Sequence, residues 1–357
     1  MPNAQDTLDA LIYALDVNPD ISTEGRVLFL RAQEHPALEH FAGRLVCQQT
    51  WKPRASELEA AGHRVEREAH GLFDLVLVLP DPQRDLMVAD LARAHDHLAP
   101  GGLLMASQHN DAGSKRCEQY LRDVANKVES LSKHHSRVFW AAKDEQRPWN
   151  ADLLERWRQG AAMRRILDGR FWSRPGLFNW ERIDEGSALL AKHLPETIAG
   201  NVADLGCGWG FLGDHLLRNC HDIVTLDIYD ADADCFECAR RNLGLVPTRV
   251  KARPHWHDVT AGIKTAQFDA VVMNPPFHEG KHADLLIGMK FIANAAQALR
   301  KDGHLWMVAN RQLPYESLLG DTFAVVEKVV ETGAFKVLHA SQPTVKPAFE
   351  HRRKKRR

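Results

Sequence analysis

The feature that most constrains this chain is an internal repeat of whole blocks of sequence. Phe73 to Pro80 reads F-D-L-V-L-V-L-P and Phe268 to Pro275 reads F-D-A-V-V-M-N-P, each an apolar run of the kind expected of a buried parallel strand. Upstream, Gly25 to Leu30 (G-R-V-L-F-L) corresponds to Gly200 to Leu205 (G-N-V-A-D-L), and downstream His97 to Ser107 corresponds to Ala298 to Asn310. The blocks keep one order in both halves and differ only in the insertions between them, which is the pattern of a duplicated domain.

Helical stretches such as Asp81 to His97 and His282 to Leu299 alternate with these runs. Such alternation reads as an open, mostly parallel α/β sheet, so the expected fold class is α/β, with two tandem Rossmann-like domains. A length of 357 residues suits two domains. The boundary is expected near residue 150, giving a first domain over 1–149, a basic linker over 150–174, a second domain over 175–345 and a basic tail over 346–357.

Hydrophobic residues make up 44% and charged residues 26% of the chain, a balance that excludes a disordered or fibrous protein. No apolar stretch reaches the roughly 18 residues of a membrane span. The first twenty residues carry Asp6, Asp9 and Asp16 and no Lys or Arg, the wrong charge for a leader. With six cysteines and no dense framework, a cytoplasmic protein without disulfides is expected, monomeric and without a membrane partner. Cys235 and Cys238 form a lone C-x-x-C, read as two thiols on one face of a helix through Asn242, because a structural zinc needs four ligands and no second pair is present. No metal is expected.

The net charge of −1 conceals a cationic end, since all six residues from Arg352 to Arg357 are basic. Between the halves, Arg156, Arg158, Arg164, Arg165, Arg170 and Arg174 are interleaved with Trp157, Phe171 and Trp172. Arginines beside aromatics suit phosphate contacts and base stacking; a solvated amphipathic linker helix accounts for the same residues.

The chemistry concentrates in the second half. Asn201 to Gly210 reads N-V-A-D-L-G-C-G-W-G, a strand running into a glycine-rich turn and then an apolar helix, Phe211 to Leu217. Glycines there let the backbone turn sharply and a ligand approach the main chain. Asp227, 19 residues after Gly208 and taken to end the strand Asp222 to Leu226, is positioned to accept both hydroxyl hydrogens of a ribose. A dinucleotide enzyme and a methyltransferase are equally served up to this point. Met273 to His278, M-N-P-P-F-H, separates them: two prolines hold Asn274 out of helix at the end of a strand. An amide there grips an exocyclic amine without a titrating charge, and Phe277 offers a planar acceptor a stacking surface.

D-L-G-C-G-W-G together with N-P-P-F resembles the Rossmann-type S-adenosylmethionine methyltransferases that modify amino groups. The strings Pro175 to Leu190 (P-G-L-F-N-W-E-R-I-D-E-G-S-A-L-L), N-P-P-F-H-E-G, V-A-N-R-Q-L-P-Y and G-A-F-K-V, with the duplicated architecture, are similar to the bacterial ribosomal RNA guanine-N2 methyltransferases, most closely those of the small subunit. The likeness is dense from Pro175 to Leu338 and only architectural before Gln146. The Arg-rich segment and the basic tail depart from it.

This resemblance implies S-adenosylmethionine as cofactor and ribosomal RNA or a ribosomal subunit as partner. It implies Asn274, Pro275, Pro276 and Phe277 as the catalytic turn. Asp204, Gly206 and Gly208 would line the cofactor's methionine and ribose end, Asp227 would hold the ribose, and Asp258, with His257 as alternative, would meet the adenine. Phe178 and Asp184 belong to a segment that closes over the cofactor. His278 follows the turn either as a participant or as a turn histidine.

Matching Gly25 to Gly200 and Phe73 to Phe268 puts Phe29 at Asp204, Arg31 at Gly206, Gln33 at Gly208 and Leu79 at Asn274. The first domain therefore reads as a degenerate copy, a scaffold or RNA-docking module, and the second as catalytic. The favoured acceptor is guanine N2 in 16S rRNA. Behind it stand a 23S guanine, then an adenine N6 or protein glutamine, then a non-catalytic assembly factor, which would predict erosion of both glycine turns.

Overall fold

The computed structural model describes residues 4–19, 21–263, 267–276 and 282–344. Phe277, His278 and the basic tail 346–357 lie outside the described residues. The chain divides into two units, Met1–Ala162 and Met163–Arg357.

In the first unit the described residues form one mixed sheet from β1 (Val27–Leu30), β2 (Leu45–Gln48), β3 (Arg64–Glu66), β4 (Phe73–Val78), β5 (Leu98–His109), β6 (Glu129–Lys133) and β7 (Ser136–Ala142). The order is β3-β2-β1-β4-β5-β7-β6, parallel except where β7 runs against β5 and β6. The second unit opens with a hairpin, β8 (Arg164–Ile166) and β9 (Phe171–Ser173). Its sheet is built from β10 (Gly200–Leu205), β11 (Ile223–Asp230), β12 (Ala252–Trp256), β13 (Phe268–Met273), β14 (Leu299–Asn310), β15 (Phe323–Glu331) and β16 (Phe335–Pro343). The order β12-β11-β10-β13-β14-β16-β15 repeats that of the first unit strand for strand.

The repeat extends to a detail at the head of the central strand. Gly25 and Gly200 both adopt left-handed backbone, φ 84° and 77°. The amide that follows each donates to an aspartate at the head of the neighbouring strand: Arg26 N to Asp74 Oδ2 at 2.8 Å, and Asn201 N to Asp269 Oδ2 at 2.7 Å. A Cβ at either glycine would lie 2.3 or 2.2 Å from that carboxylate oxygen, so only glycine fits.

Each sheet is apolar on both faces, as a parallel sheet covered by helices must be. In the second unit, alternation along the strands sends Val202, Ile228 and Val272 to one face and Ala203, Leu205, Tyr229 and Met273 to the other.

The expected linker is not a linker. The helix Ala151–Gly160, capped by the Asn150 side chain on the Leu153 amide at 3.0 Å, belongs to the first unit, where Leu154 and Trp157 join the core. The hairpin belongs to the second, so the units part at 162/163 and not near 150. Periodicity did not reveal this because the segment's polar face is as arginine-rich as a free linker would be.

Candidate active site

The glycine turn lies at the carboxyl end of β10, and its glycines do different work. Gly206 and Gly208 have left-handed backbone (φ 80° and 49°), and a Cβ on Gly208 would meet nothing within 4 Å. Gly210 (φ 92°) is structural: a Cβ there would lie 3.2 Å from the Ala239 backbone, so its absence lets the helix Phe211–Asn219 close on Phe236–Leu243. Trp209, between them, is buried against Phe171 and Phe211.

Asp204 is fully buried, and neither carboxylate oxygen has a well-formed hydrogen bond. Burial, reinforced by the charge of Asp230 and offset only in part by the Gly213 amide, pushes its carboxyl up to about 7. Asp230 ends β11, partly exposed, accepting from the amides of Gly208 (2.8 Å, Oδ2) and Asp232 (2.9 Å, Oδ1). Its carboxyl is also raised by burial, against the pull of those amides.

Asp227 does not reach this site. The strand expected to stop at Leu226 runs to Asp230, which leaves Asp227 three residues short of the edge and on the opposite face from Asp204 and Asp230. Both its oxygens are engaged on β12, by Arg253 and by Nε2 of His255 at 2.6 Å. The carboxylate beside the glycine turn is Asp230. The cue available in the sequence was the continuing strand pattern I-V-T-L-D-I-Y-D, with β-branched and aromatic residues on both sides of Asp227.

Asn274 follows β13 on the same face as Asp204, opposite Gly206, where a glycine Cβ would stand 3.7 Å from its carbonyl oxygen. Its Nδ2 donates to Asp184 Oδ2 and to Ser187 Oγ, both at 2.8 Å. Asp184 caps the helix Glu185–His193, accepting from the Ser187 amide at 2.8 Å and from Asn179 Nδ2 at 2.9 Å. A carboxylate only accepts, so the amide orientation follows from its partner. Oδ1 of Asn274 is left buried with no partner. Asp184 thus orients the amide, a role the sequence reading did not foresee. Pro275 is buried and Pro276 exposed.

His257 and Asp258 follow β12 beside Asp230, whose carbonyl accepts the His257 amide at 2.9 Å. Asp258 caps a short turn after β12, accepting from Thr260 N at 2.8 Å through Oδ1. His257, offered as its alternative, has Nε2 2.8 Å from the Gly262 carbonyl. Phe178 is 59% exposed. In the hairpin, Phe171 is core and Trp172 carries the guanidiniums of Arg165 and Arg241, each 4.9 Å from its ring, so these aromatics are not open to a base. Asn242, fully buried, ties the hairpin to the glycine turn: it accepts from Trp172 N at 2.7 Å and donates to the carbonyls of Trp172 at 2.9 Å and Trp209 at 2.7 Å.

The spacing of Cys235 and Cys238 also misled. Cys235 ends a turn before the helix that begins at Phe236, and its thiol lies with Cys207 of the glycine turn and Asp230, their ligand atoms within 4.8 Å of one another.

The Methyltransferase small domain family matches residues 168–339. Ribosomal RNA small subunit methyltransferase C of Psychromonas ingrahamii is 30% identical over 269 residues, 74% of this chain and 75% of the relative. Its counterpart in Pseudomonas paraeruginosa is 30% identical over 272 residues, 75% and 79% of the two chains. This chain belongs to the ribosomal RNA small subunit methyltransferase C family. A solved structure of a T. thermophilus 16S rRNA N2 G1207 methyltransferase (RsmC), in complex with AdoMet and guanosine, is 24% identical with a TM-score of 0.75, covering 96% of this chain and 93% of that one. The two-domain fold is therefore that of the small subunit methyltransferase C family. Among the described residues, no helix is long and apolar enough to cross a membrane.

Proposed function

We propose that this chain methylates the exocyclic N2 amine of a guanine in 16S rRNA, using S-adenosylmethionine and acting as a cytoplasmic monomer on the RNA or the small subunit. The observation that carries the reading is the Asn274 amide, its donors anchored inward and its oxygen buried and unpartnered. Such an oxygen can only accept, which suits an amine N–H and repels a ring carbonyl. Relatives named small subunit methyltransferase C, and a likeness to a structure holding AdoMet and guanosine, support it.

The residues fit the cofactor. The open turn at Gly206 and Gly208 gives it room beside the backbone. An orphaned buried carboxylate at Asp204 calls for a cationic neighbour. Asp230, oriented by backbone amides, keeps lone pairs for ribose hydroxyls, and Asp258 has Oδ2 for an adenine amine. S-adenosylmethionine, when bound, supplies an electrophilic methyl on a positively charged sulfur. On the acceptor side, the base leaves its stack to be reached. Asn274 Oδ1 and the Pro275 carbonyl accept its two amine hydrogens and orient the delocalised N2 lone pair, and orientation supplies most of the barrier reduction. With that methyl supplied, the new N–C bond would replace the methyl's bond to sulfur, and one amine proton would pass to solvent. No strong base is required, because that proton becomes acidic only as the bond forms. Phe277 would stack on the base. The first unit serves as scaffold or RNA dock.

The test is Asn274→Ala on rRNA substrate, followed by analysis of the methylated nucleosides. The single-turnover rate should fall on the order of 10²- to 10³-fold, as for loss of one preorganised polar contact at a reacting centre, with cofactor affinity unchanged. A wild-type rate would remove this turn from the chemistry. N6-methyladenosine in place of N2-methylguanosine would move the reading to an adenine acceptor.

A further inference from the structure

Cys207, Asp230 and Cys235 bring two thiols and a carboxylate together, their ligand atoms within 4.8 Å of one another. The thiols are buried, at 6% and 1% exposure, while Asp230 is partly open to solvent. Cys207 donates weakly to the Gly208 carbonyl, at 3.5 Å. Asp230 accepts from the amides of Gly208 and Asp232, with the Ala231 amide also pulling on it, an arrangement that orients the carboxylate. Two sulfurs and one oxygen make three donors of the set that a soft, four-coordinate divalent ion takes. The local charge favours a cation as well, since Asp204 adds a second buried carboxylate.

We infer that Cys207, Asp230 and Cys235 form a binding site for a thiophilic divalent cation of the zinc class, and that the ion competes with the cofactor. The competition rests on the reading of Asp230 as the ribose ligand; the metal site does not. On binding, each thiol releases its proton to solvent as its sulfur takes the ion, without change of oxidation state.

The experiment titrates Cd²⁺ into the full-length, reduced, chelator-treated chain and follows the near-ultraviolet thiolate-to-cadmium absorption. A saturable band is expected, lost in Cys235→Ala and kept in Cys238→Ala. Cys235→Ala should retain cofactor affinity and methylation, and Cys235→Ser, with circular dichroism on both, separates loss of ligand from loss of fold. No band in the native chain, a band that survives both Cys235 substitutions, or one abolished by Cys238→Ala would overturn the site. Added S-adenosylhomocysteine should displace the ion. A Cys235-dependent band that S-adenosylhomocysteine leaves untouched overturns the competition, while the metal site stands.

Discussion

The two units share one strand order and one glycine–aspartate clasp, yet they differ where the central strands end. Strand registers make the comparison residue by residue. Leu30 pairs with Gln48 as Leu205 pairs with Tyr229, so Gln49 stands at the position of Asp230. Gln49 is buried, its amide donating to the Ala32 carbonyl at 2.7 Å and accepting from Trp51 N at 2.9 Å, the bond Asp230 accepts from Asp232. Phe29 fills the place of Asp204, with no exposed surface. Arg31 stands at Gly206 and keeps its left-handed backbone, φ 52°, although a non-glycine residue is strained there. Its guanidinium lies 2.6 Å from Asp90 and 3.3 Å from Asp81. Leu79, at the position of Asn274, is in the core. The sheet and its turns thus persist without the polar groups at their ends: the fold does not depend on the site, and the site is a handful of substitutions on the fold.

Exchanging residues between the copies tests that claim. The largest effect is expected from Asp230→Gln, which imports the residue of the first unit. Loss of charged hydrogen bonds of roughly 1.5–3 kcal/mol should weaken cofactor binding about 10- to 100-fold by calorimetry. Asp227→Ala should stay near the native affinity; the reverse ranking would return the ribose to Asp227.

A smaller effect concerns pH and has no counterpart at Phe29. Because the Asp204 carboxyl is raised to about 7 in the folded chain, a cationic ligand binds its ionised form and releases a proton. Cofactor affinity should rise by up to about tenfold per pH unit as pH approaches 7, and level off above it. Folding without cofactor shows the opposite trend. Between the ordinary aspartate value and 7 the folded state holds the extra proton, so Asp204 lowers stability as pH rises through that window. Asp204→Asn should flatten both profiles, and a pH dependence unchanged by that substitution would place the titrating group elsewhere.

The smallest effect should be the same in both units. Gly25→Ala and Gly200→Ala each force a side chain into left-handed backbone against an aspartate. Each should cost on the order of 1 kcal/mol in chemical denaturation. A marked difference between them would mean that the clasp is structural in one unit and functional in the other.

The duplication, the sheet class and the two loops of the site were legible because they are written in local runs: the repeated F-D strands, three glycines in five residues, and N-P-P. What escaped was set by register and by partners distant in sequence. Asp227 and Asp230 both follow the glycine turn at a plausible distance, and only the length of β11 and its alternation decide which faces it. Asp184 shows its hold on Asn274 only once the helix it caps is laid across the sheet. Cys235 advertised a neighbour three residues on, but its spatial partner is in another loop.

Asn242 has a mechanical consequence. Through three hydrogen bonds it pins β9 to the carbonyl of Trp209, in the middle of the glycine turn. The hairpin cannot slide over the turn without breaking these three bonds, one of them fully buried. Arg164, Arg165 and Arg170 stand on that hairpin, exposed to solvent. Whatever grips these arginines from outside therefore also steadies the glycine turn, the floor of the proposed cofactor site.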